Sequence, residues 1–312
     1  MKVVVTGAAG FIGSHVAESL LGDGAEVVGI DCFTDYYPRA DKEENVAPLR
    51  DHQSFRLVEG RLQDLDLGPL FEGADQVYHL AAQAGVRASW GRDFEHYTQH
   101  NVLASQRVLE AALAAGAPRV VYASSSSVYG EAPDLPLRED GPCRPVSPYG
   151  VTKLAAEHLA VLYHRSYGLP TVSLRYFTVF GPRQRPDMAF HRFFKAALDD
   201  EGVRVFGDGR QTRDFTFVSD IVAATRAAAV SGQAGSVYNV GGGERVELNQ
   251  VLRLIEEISE RPLRIQREEA QRGDMRDTFA DTTAARRDLG FQSRVRLEEG
   301  LVREWEWLRG RR

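Results

Sequence analysis

Lys2-Val3-Val4-Val5-Thr6, followed at once by Gly7-Ala8-Ala9-Gly10-Phe11-Ile12-Gly13, is the stretch whose reading decides the fold. A short β-branched run of this kind suits a strand buried on both faces, as in a parallel sheet. The glycines begin where it stops, with the spacing Gly7-x-x-Gly10-x-x-Gly13, and an amphipathic helix, Ser14 to Leu21, opens from them and closes at Gly22 to Gly24. Glycine is required in such a strand-to-helix turn because the backbone angles are tight. A Cβ would also hold the chain away from a pyrophosphate seated on the helix N-terminus.

Working outward, a second strand, Glu26 to Ile30, ends in Asp31. A carboxylate there accepts hydrogen bonds from the ribose hydroxyls of an adenosine and repels a 2′-phosphate, which favours NAD over NADP. Arg39 and Lys42 follow and read as solvated loop cations. The alternation continues with a strand at Phe55 to Glu59, a short helix at Leu65 to Phe71 and a strand at Gln76 to Leu80. A long helix from Phe94 to Ala115 and a strand at Val120 to Ser124 complete it. Strands separated by helices over this length predict right-handed crossovers and an α/β fold, a Rossmann-type doubly wound parallel sheet. Ligands in such sheets sit at the carboxyl ends of the strands, where Ala81-Ala82-Gln83 and Ser124-Ser125-Ser126-Ser127 fall.

The 312 residues are 43% hydrophobic, enough for one large core or two closely joined lobes. A net charge of −6 gives no electrostatic footprint for nucleic acid or an anionic membrane, and the tail Arg309-Gly310-Arg311-Arg312 reads as a solvated basic end. Cys32 and Cys143 match no metal spacing or disulfide framework and read as packing residues in a reducing compartment. No metal is expected. Met1-Lys2 leads straight into the first strand, leaving no room for the apolar region of a signal peptide, and no segment reaches membrane-spanning length. The expectation is a cytoplasmic protein.

Pro148-Tyr149-Gly150-Val151-Thr152-Lys153 opens a further helical pattern, which places Tyr149 and Lys153 one turn apart on one face. A phenol beside an ammonium is a tuned acid/base, although the bare pair is also ordinary on helix surfaces. The glycine triplet, Asp31, the serine run before Val128-Tyr129-Gly130 and Tyr149-x-x-x-Lys153 together resemble the extended short-chain dehydrogenase/reductase superfamily in its nucleotide-sugar branch. The resemblance covers nearly the whole chain. It implies bound NAD, Tyr149 as catalytic acid/base, Lys153 binding the nicotinamide ribose and lowering the tyrosine's pKa, and Ser125 hydrogen-bonding the reacting hydroxyl. Relatives carry an Asp after the glycine that ends the third strand, to contact adenine. Here Gly60-Arg61 departs from that pattern and leaves the contact unassigned.

The second half is less regular. Strands are expected at Thr171 to Arg175, Arg204 to Phe206 and Val237 to Val240. Helices are expected at Phe190 to Ala197, Leu248 to Ile258 and Leu297 to Leu308, with a charged loop from Tyr176 to Asp187. The chain then divides into an NAD-binding domain, residues 1–175 plus about 214–241, and an interleaved nucleotide-sugar lobe, about 176–213 plus 242–312. By the resemblance, Arg213 grips the nucleotide diphosphate and Asp274, in Arg272-Gly273-Asp274, contacts the uridine ribose. Nucleotide-sugar members share a first step, in which Tyr149 takes the proton of the sugar 4-hydroxyl as hydride leaves C4 for the nicotinamide. Dehydratases and decarboxylases of the branch add acids at the serine run, but Ser126 and Ser127 are no acids at neutral pH. That argues for return of the hydride, an epimerisation with no net redox.

The loop Arg175-Tyr176-Phe177-Thr178, continuing to Arg185-Pro186-Asp187, is similar to that of UDP-glucuronate 4-epimerases, where UDP-glucose 4-epimerases resemble Arg-Tyr-Phe-Asn. Ser125, Ser126, Ser127 and Thr178 would offer hydroxyls to a C6 carboxylate, and Arg185 would hold the nucleotide or shape the loop. The partners so implied are UDP-glucuronate and UDP-galacturonate, with a UDP-glucose epimerase or a UDP-uronate decarboxylase as alternatives. Relatives dimerise through the helices that correspond to Phe94 to Ala115 and Tyr149 to Tyr167, so a homodimer is implied as well.

Overall fold

The computed structural model describes residues 1–131, 134–269, 271 and 273–311. The first half alternates as β1 (Lys2–Thr6), α1 (Phe11–Gly22), β2 (Glu26–Asp31), α2 (Arg39–Arg50), β3 (Phe55–Glu59), α3 (Gly68–Phe71) and β4 (Gln76–His79). It continues through α4 (Phe94–Tyr97), a π-helical turn (Thr98–Leu103), α5 (Ala104–Ala114) and β5 (Arg119–Ser125), then α6 (Pro148–Tyr167) and β6 (Thr171–Tyr176). The seven-stranded sheet has the order β10-β6-β5-β4-β1-β2-β3, with β10 at Val237–Val240, and every pairing in it is parallel. The order reverses beside β1, and a crevice opens at the carboxyl ends of β1 and β4. Val3, Val4 and Val5 are wholly buried, as a central strand with helices on both faces demands.

Between β6 and β10 the chain builds β7 (Thr178–Phe180), α7 (Ala189–Asp199), β8 (Gly202–Phe206), β9 (Thr212–Phe217) and α8 (Val218–Ser231). After β10 come β11 (Arg245–Glu247), α9 (Leu248–Ser259), β12 (Arg264–Glu268), α10 (Thr283–Leu289) and α11 (Leu297–Arg309). β11-β9-β7 form a three-stranded sheet and β12-β8 a parallel pair. Phe180, Phe190, Phe194, Phe217 and Trp305 join the aliphatic core of the large sheet, so both sheets close over one continuous apolar interior.

Three expectations need correcting. Arg39 and Lys42 belong to helix α2 instead of a solvated loop. Arg39 makes two 2.7 Å hydrogen bonds to the Glu59 carboxylate, while Lys42, 4% exposed, donates to the Thr34 carbonyl and lies over the Tyr37 ring. Of the basic tail, Arg311 is paired with Asp41 and Glu44 and stacked on Trp307, and Arg312 lies outside the described residues. The long helix Phe94 to Ala115 is interrupted by the π-turn, which lets Asn101 leave the regular helical register. Glu43 lies one turn from Arg39, but Glu59, and the Asp41 and Glu44 that hold Arg311, lie remote from their arginines in the chain, so local sequence gives no sign of those pairs.

Candidate active site

The glycine turn makes one half of the site out of backbone. Gly7 has φ +72°, and a Cβ there would lie 2.8 Å from the Ala81 amide nitrogen; a Cβ on Gly13 would lie 2.0 Å from the Gly7 carbonyl oxygen. Gly10 caps α1 in an extended conformation without a side-chain acceptor, so the first amides of the helix remain directed at the cleft. Gly7, Gly10, Phe11, Ile12 and Gly13 line that cleft with Asp31, and Ala81 and Gln83 face them from the end of β4. The Asp31 carboxylate accepts from the Ala9 amide (3.0 Å) and the Phe33 amide (2.8 Å), tying the glycine turn to β2. Burial pushes its pKa up while these amides oppose the rise. Where the adenine-side Asp is missing, Leu62 and Gln63 line the cleft, and Arg61 turns outward to Asp64. A cradle this close to bare backbone, with a helix N-terminus and a carboxylate at β2, fits a dinucleotide pyrophosphate and its ribose.

Asn101 is a site residue that sequence reasoning missed. It accepts from the Gln83 amide at 2.7 Å, and its amide donates to the Gln83 carbonyl (3.0 Å) and to Thr152 Oγ1 (2.9 Å). One side chain thereby clamps the loop after β4 to helix α6. Tyr97, edge-on to Tyr149, fixes the same loop by donating to the Ala84 and Gly85 carbonyls. The signal in the sequence was no more than an Asn in a helical stretch.

Tyr149 stands in the first turn of α6, where Ser147 caps the helix by accepting from the Gly150 amide at 3.1 Å and Pro148 presets the first helical residue. Lys153 follows one turn on, also facing the cleft. Burial pushes the Tyr149 phenol up, while the Arg185 guanidinium and a hydrogen bond with Ser125 pull it down. Lys153 is 3% exposed and is brought down to about 7 by burial, against the pull of Glu157; its Nζ lies 4.6 Å from the Tyr122 ring centroid. Arg185 thus joins Lys153 as a cation in the cleft that holds the phenol. Burial and Lys153 together hold buried His79 at about 3, so it stays neutral between Thr6 and Ser105.

The other half of the site is made of side chains. Ser125, Ser126, Ser127 and Thr178 line a second cleft continuous with Tyr149 and Arg185. Ser125 Oγ accepts from the Ser127 amide (3.2 Å), which curls the serine turn. Arg185 grips Asp187 with two bonds of 2.9 and 3.0 Å, and Tyr36 donates to the same carboxylate. Asp274 is paired at 2.6 Å with Arg87, which stacks 4.1 Å from the Phe206 ring centroid. Arg272 lies outside the described residues. Arg213 lines an adjoining recess with Ser126, Ser127, Thr178 and Asp274 and donates to the Thr212 and Arg276 carbonyls. Sequence reasoning missed Arg87, Arg192 and Arg204, which line the same cleft. Burial and the neighbouring Arg204 and Arg87 guanidiniums push Arg192 down. Arg87 has Asp274 and Arg204 has Glu268 at 3.9 Å, whereas Arg192 stands between the two other guanidiniums, and the excess of positive charge suits a polyanion. Among the described residues of this cleft the acids are Asp187 and Asp274, each already paired with an arginine.

A profile of the NAD dependent epimerase/dehydratase family matches residues 3–241. The chain belongs to this family. As a member it is an NAD-dependent enzyme of the epimerase type. It is 44% identical over 312 residues to an uncharacterized UDP-glucose epimerase, YtcB, of Bacillus subtilis, covering 99% of this chain and 98% of that one. The crystal structure of UDP-glucuronic acid 4-epimerase from Bacillus cereus in complex with UDP-glucuronic acid and NAD superposes with a TM-score of 0.97 at 41% identity, over 100% of both chains. MoeE5 in complex with UDP-glucose and NAD gives 0.90 at 43% identity, over 100% of this chain and 99% of the other.

Proposed function

We propose that the protein is a UDP-glucuronate 4-epimerase, interconverting UDP-glucuronate and UDP-galacturonate. The observation that carries this reading is the cleft that joins Tyr149 to four hydroxyls, Ser125, Ser126, Ser127 and Thr178, while leaving no unpaired acid among its described residues. In this reading Tyr149 Oη removes the proton of the sugar 4-hydroxyl, Ser125 holds that hydroxyl, and Arg185 stabilises the phenolate. Bound NAD supplies hydride acceptance and return at C4. Lys153 holds the nicotinamide ribose. The hydroxyls of Ser126, Ser127 and Thr178 fix the C6 carboxylate, so that its bond to C5 stays out of line with the ketone π system and carbon dioxide is not lost. A free acid there would protonate the carbanion of decarboxylation, and the pairing of Asp187 and Asp274 is in keeping with its exclusion. Arg213, Arg192 and Arg204 bind the diphosphate, Asp274 the uridine ribose after exchange from Arg87, and the enzyme is a cytoplasmic homodimer with interleaved NAD-binding and nucleotide-sugar lobes.

The test is incubation of the purified protein with UDP-glucuronate without added NAD, the products being resolved by chromatography and proton NMR. UDP-galacturonate is the expected product, and a UDP-pentose would replace this reading with a decarboxylase. The relative named as a UDP-glucose epimerase, and the MoeE5 complex with UDP-glucose, favour a second reading, a neutral-sugar epimerase. Thr178→Asn separates the two: uronate turnover should fall about tenfold, the value of one charge-assisted hydrogen bond, with UDP-glucose turnover kept.

A further inference from the structure

Helix α6 carries a third group on the face of Tyr149 and Lys153 that the reaction scheme leaves unused. Glu157 lies one further turn along, 2% exposed, and its carboxylate joins three parts of the site. It accepts from Ser124 Oγ at 2.6 Å, immediately before the serine turn. It accepts from Nε and Nη2 along one edge of the Arg175 guanidinium, at 3.0 and 2.6 Å. Arg175 in turn donates at 2.8 Å to the Tyr129 hydroxyl, immediately beyond that turn, and Tyr129 donates to Asn239. The two ends of the Ser125–Val128 turn are thereby fastened to the helix that carries Tyr149.

We propose that Glu157 is a positioning residue for the epimerisation: it holds Lys153 as a cation inside the cleft and fixes the serine turn against Tyr149. The argument is one of charge as well as distance. Lys153 shares the cleft with Tyr149 and Arg185, lies over the Tyr122 ring of β5 and acts on His79 of β4, and the Glu157 carboxylate one turn along its own helix acts on it through space. Glu157 is the one anion of that set. Arg175 faces Glu157 from β6, with Tyr129 and the Glu139 carbonyl as its other acceptors, so the pair sits in a closed polar pocket. A buried ammonium with no anion nearby gives up its proton. A neutral lysine would hold the nicotinamide ribose with one donor fewer and would offer no positive field to the phenolate.

This rests on the epimerase reading, and two readouts keep the two apart. The first follows the ε-methylene carbon-13 resonance of Lys153 in labelled holoenzyme across pH, which needs no turnover. The second is the pH profile of kcat with UDP-glucuronate. Glu157→Gln should lower the Lys153 titration midpoint by about one pH unit or more, the usual effect of losing a close opposite charge, and move the alkaline limb of kcat down by the same amount. A merely structural role would alter stability and leave both midpoints in place. If the Gln variant does not fold because Arg175 is left without an anion, Arg175→Gln carries the same two readouts with the opposite sign, because it leaves the Glu157 carboxylate uncompensated and should raise both midpoints. An unmoved Lys153 midpoint in either folded variant overturns the proposal. A shifted midpoint in an enzyme inert towards UDP-glucuronate overturns the substrate reading and leaves the role of Glu157 standing.

Discussion

The cofactor cleft and the sugar cleft share Tyr149 but are made of different materials. The first is shaped by main chain: three glycines within seven residues, a helix N-terminus and one carboxylate anchored by amides. The second is shaped by charged and hydroxylic side chains that converge from the loop after β4, the end of β5, β7, α7, β8 and the segment before α10. Backbone shape depends on a contiguous stretch and resists any added atom. A converging set of side chains tolerates the loss of one member and responds to charge. Substitutions in the two clefts should therefore fail in different ways.

Tyr149→Phe, at the seam of the two, should give the largest effect. Removing a general acid/base costs roughly 10³-fold in kcat, here with the bound NAD and the melting temperature unchanged. Equal loss of cofactor in this variant would mean that the phenol belongs to the cradle more than to the chemistry. Gly13→Ala comes next. Its Cβ would sit 2.0 Å from a carbonyl oxygen that has no flexible side chain to yield, so α1 or the turn must shift. Over-packing of this kind costs about 3 kcal/mol, near 10²-fold in NAD affinity, read as loss of co-purifying cofactor. Arg192→Ala should leave NAD in place and raise KM for the nucleotide sugar about tenfold, with a small rise in Tm. Its guanidinium is repelled by Arg204 and Arg87 until an anion arrives. A drop in NAD content would show that the clefts are coupled more tightly than their construction suggests.

The contrast also explains what the sequence disclosed. Gly7 to Gly13, Asp31 and the Tyr149/Lys153 pair each encode their geometry within one turn or one helix, so their spacing was readable, and the seven parallel strands followed from alternation. Asn101, Arg87, Arg192 and Arg204 were not readable. An arginine's role here depends on which other arginines it meets, and those meetings are made by β7, β8 and β9, whose pairing is long-range. Glu157 illustrates the same limit from the opposite side. Its i+4 spacing from Lys153 was in plain view, but Arg175 and Ser124, which give that spacing its consequence, arrive from two neighbouring strands.

The smallest effect is expected at Arg39, and it bears on how the cradle chooses its dinucleotide. Arg39 lies near the end of β2, where a guanidinium free to reach a 2′-phosphate would favour NADP. Here it makes two bonds to Glu59 and one to Glu43 and stacks over Phe33, so its donors are committed. The selection should then come from Asp31 alone, through repulsion between its carboxylate and the extra phosphate. Enzyme stripped of cofactor and refilled with NAD or NADP would decide this. Arg39→Ala should change the ratio of the two affinities by less than about twofold, whereas Asp31→Asn should raise the relative affinity for NADP about tenfold, the effect of removing one close like charge. If Arg39→Ala were the variant that shifted the ratio, the Glu59 pair would have to open when cofactor binds. A side chain would then share the discrimination that the cradle otherwise leaves to one carboxylate held by main-chain amides.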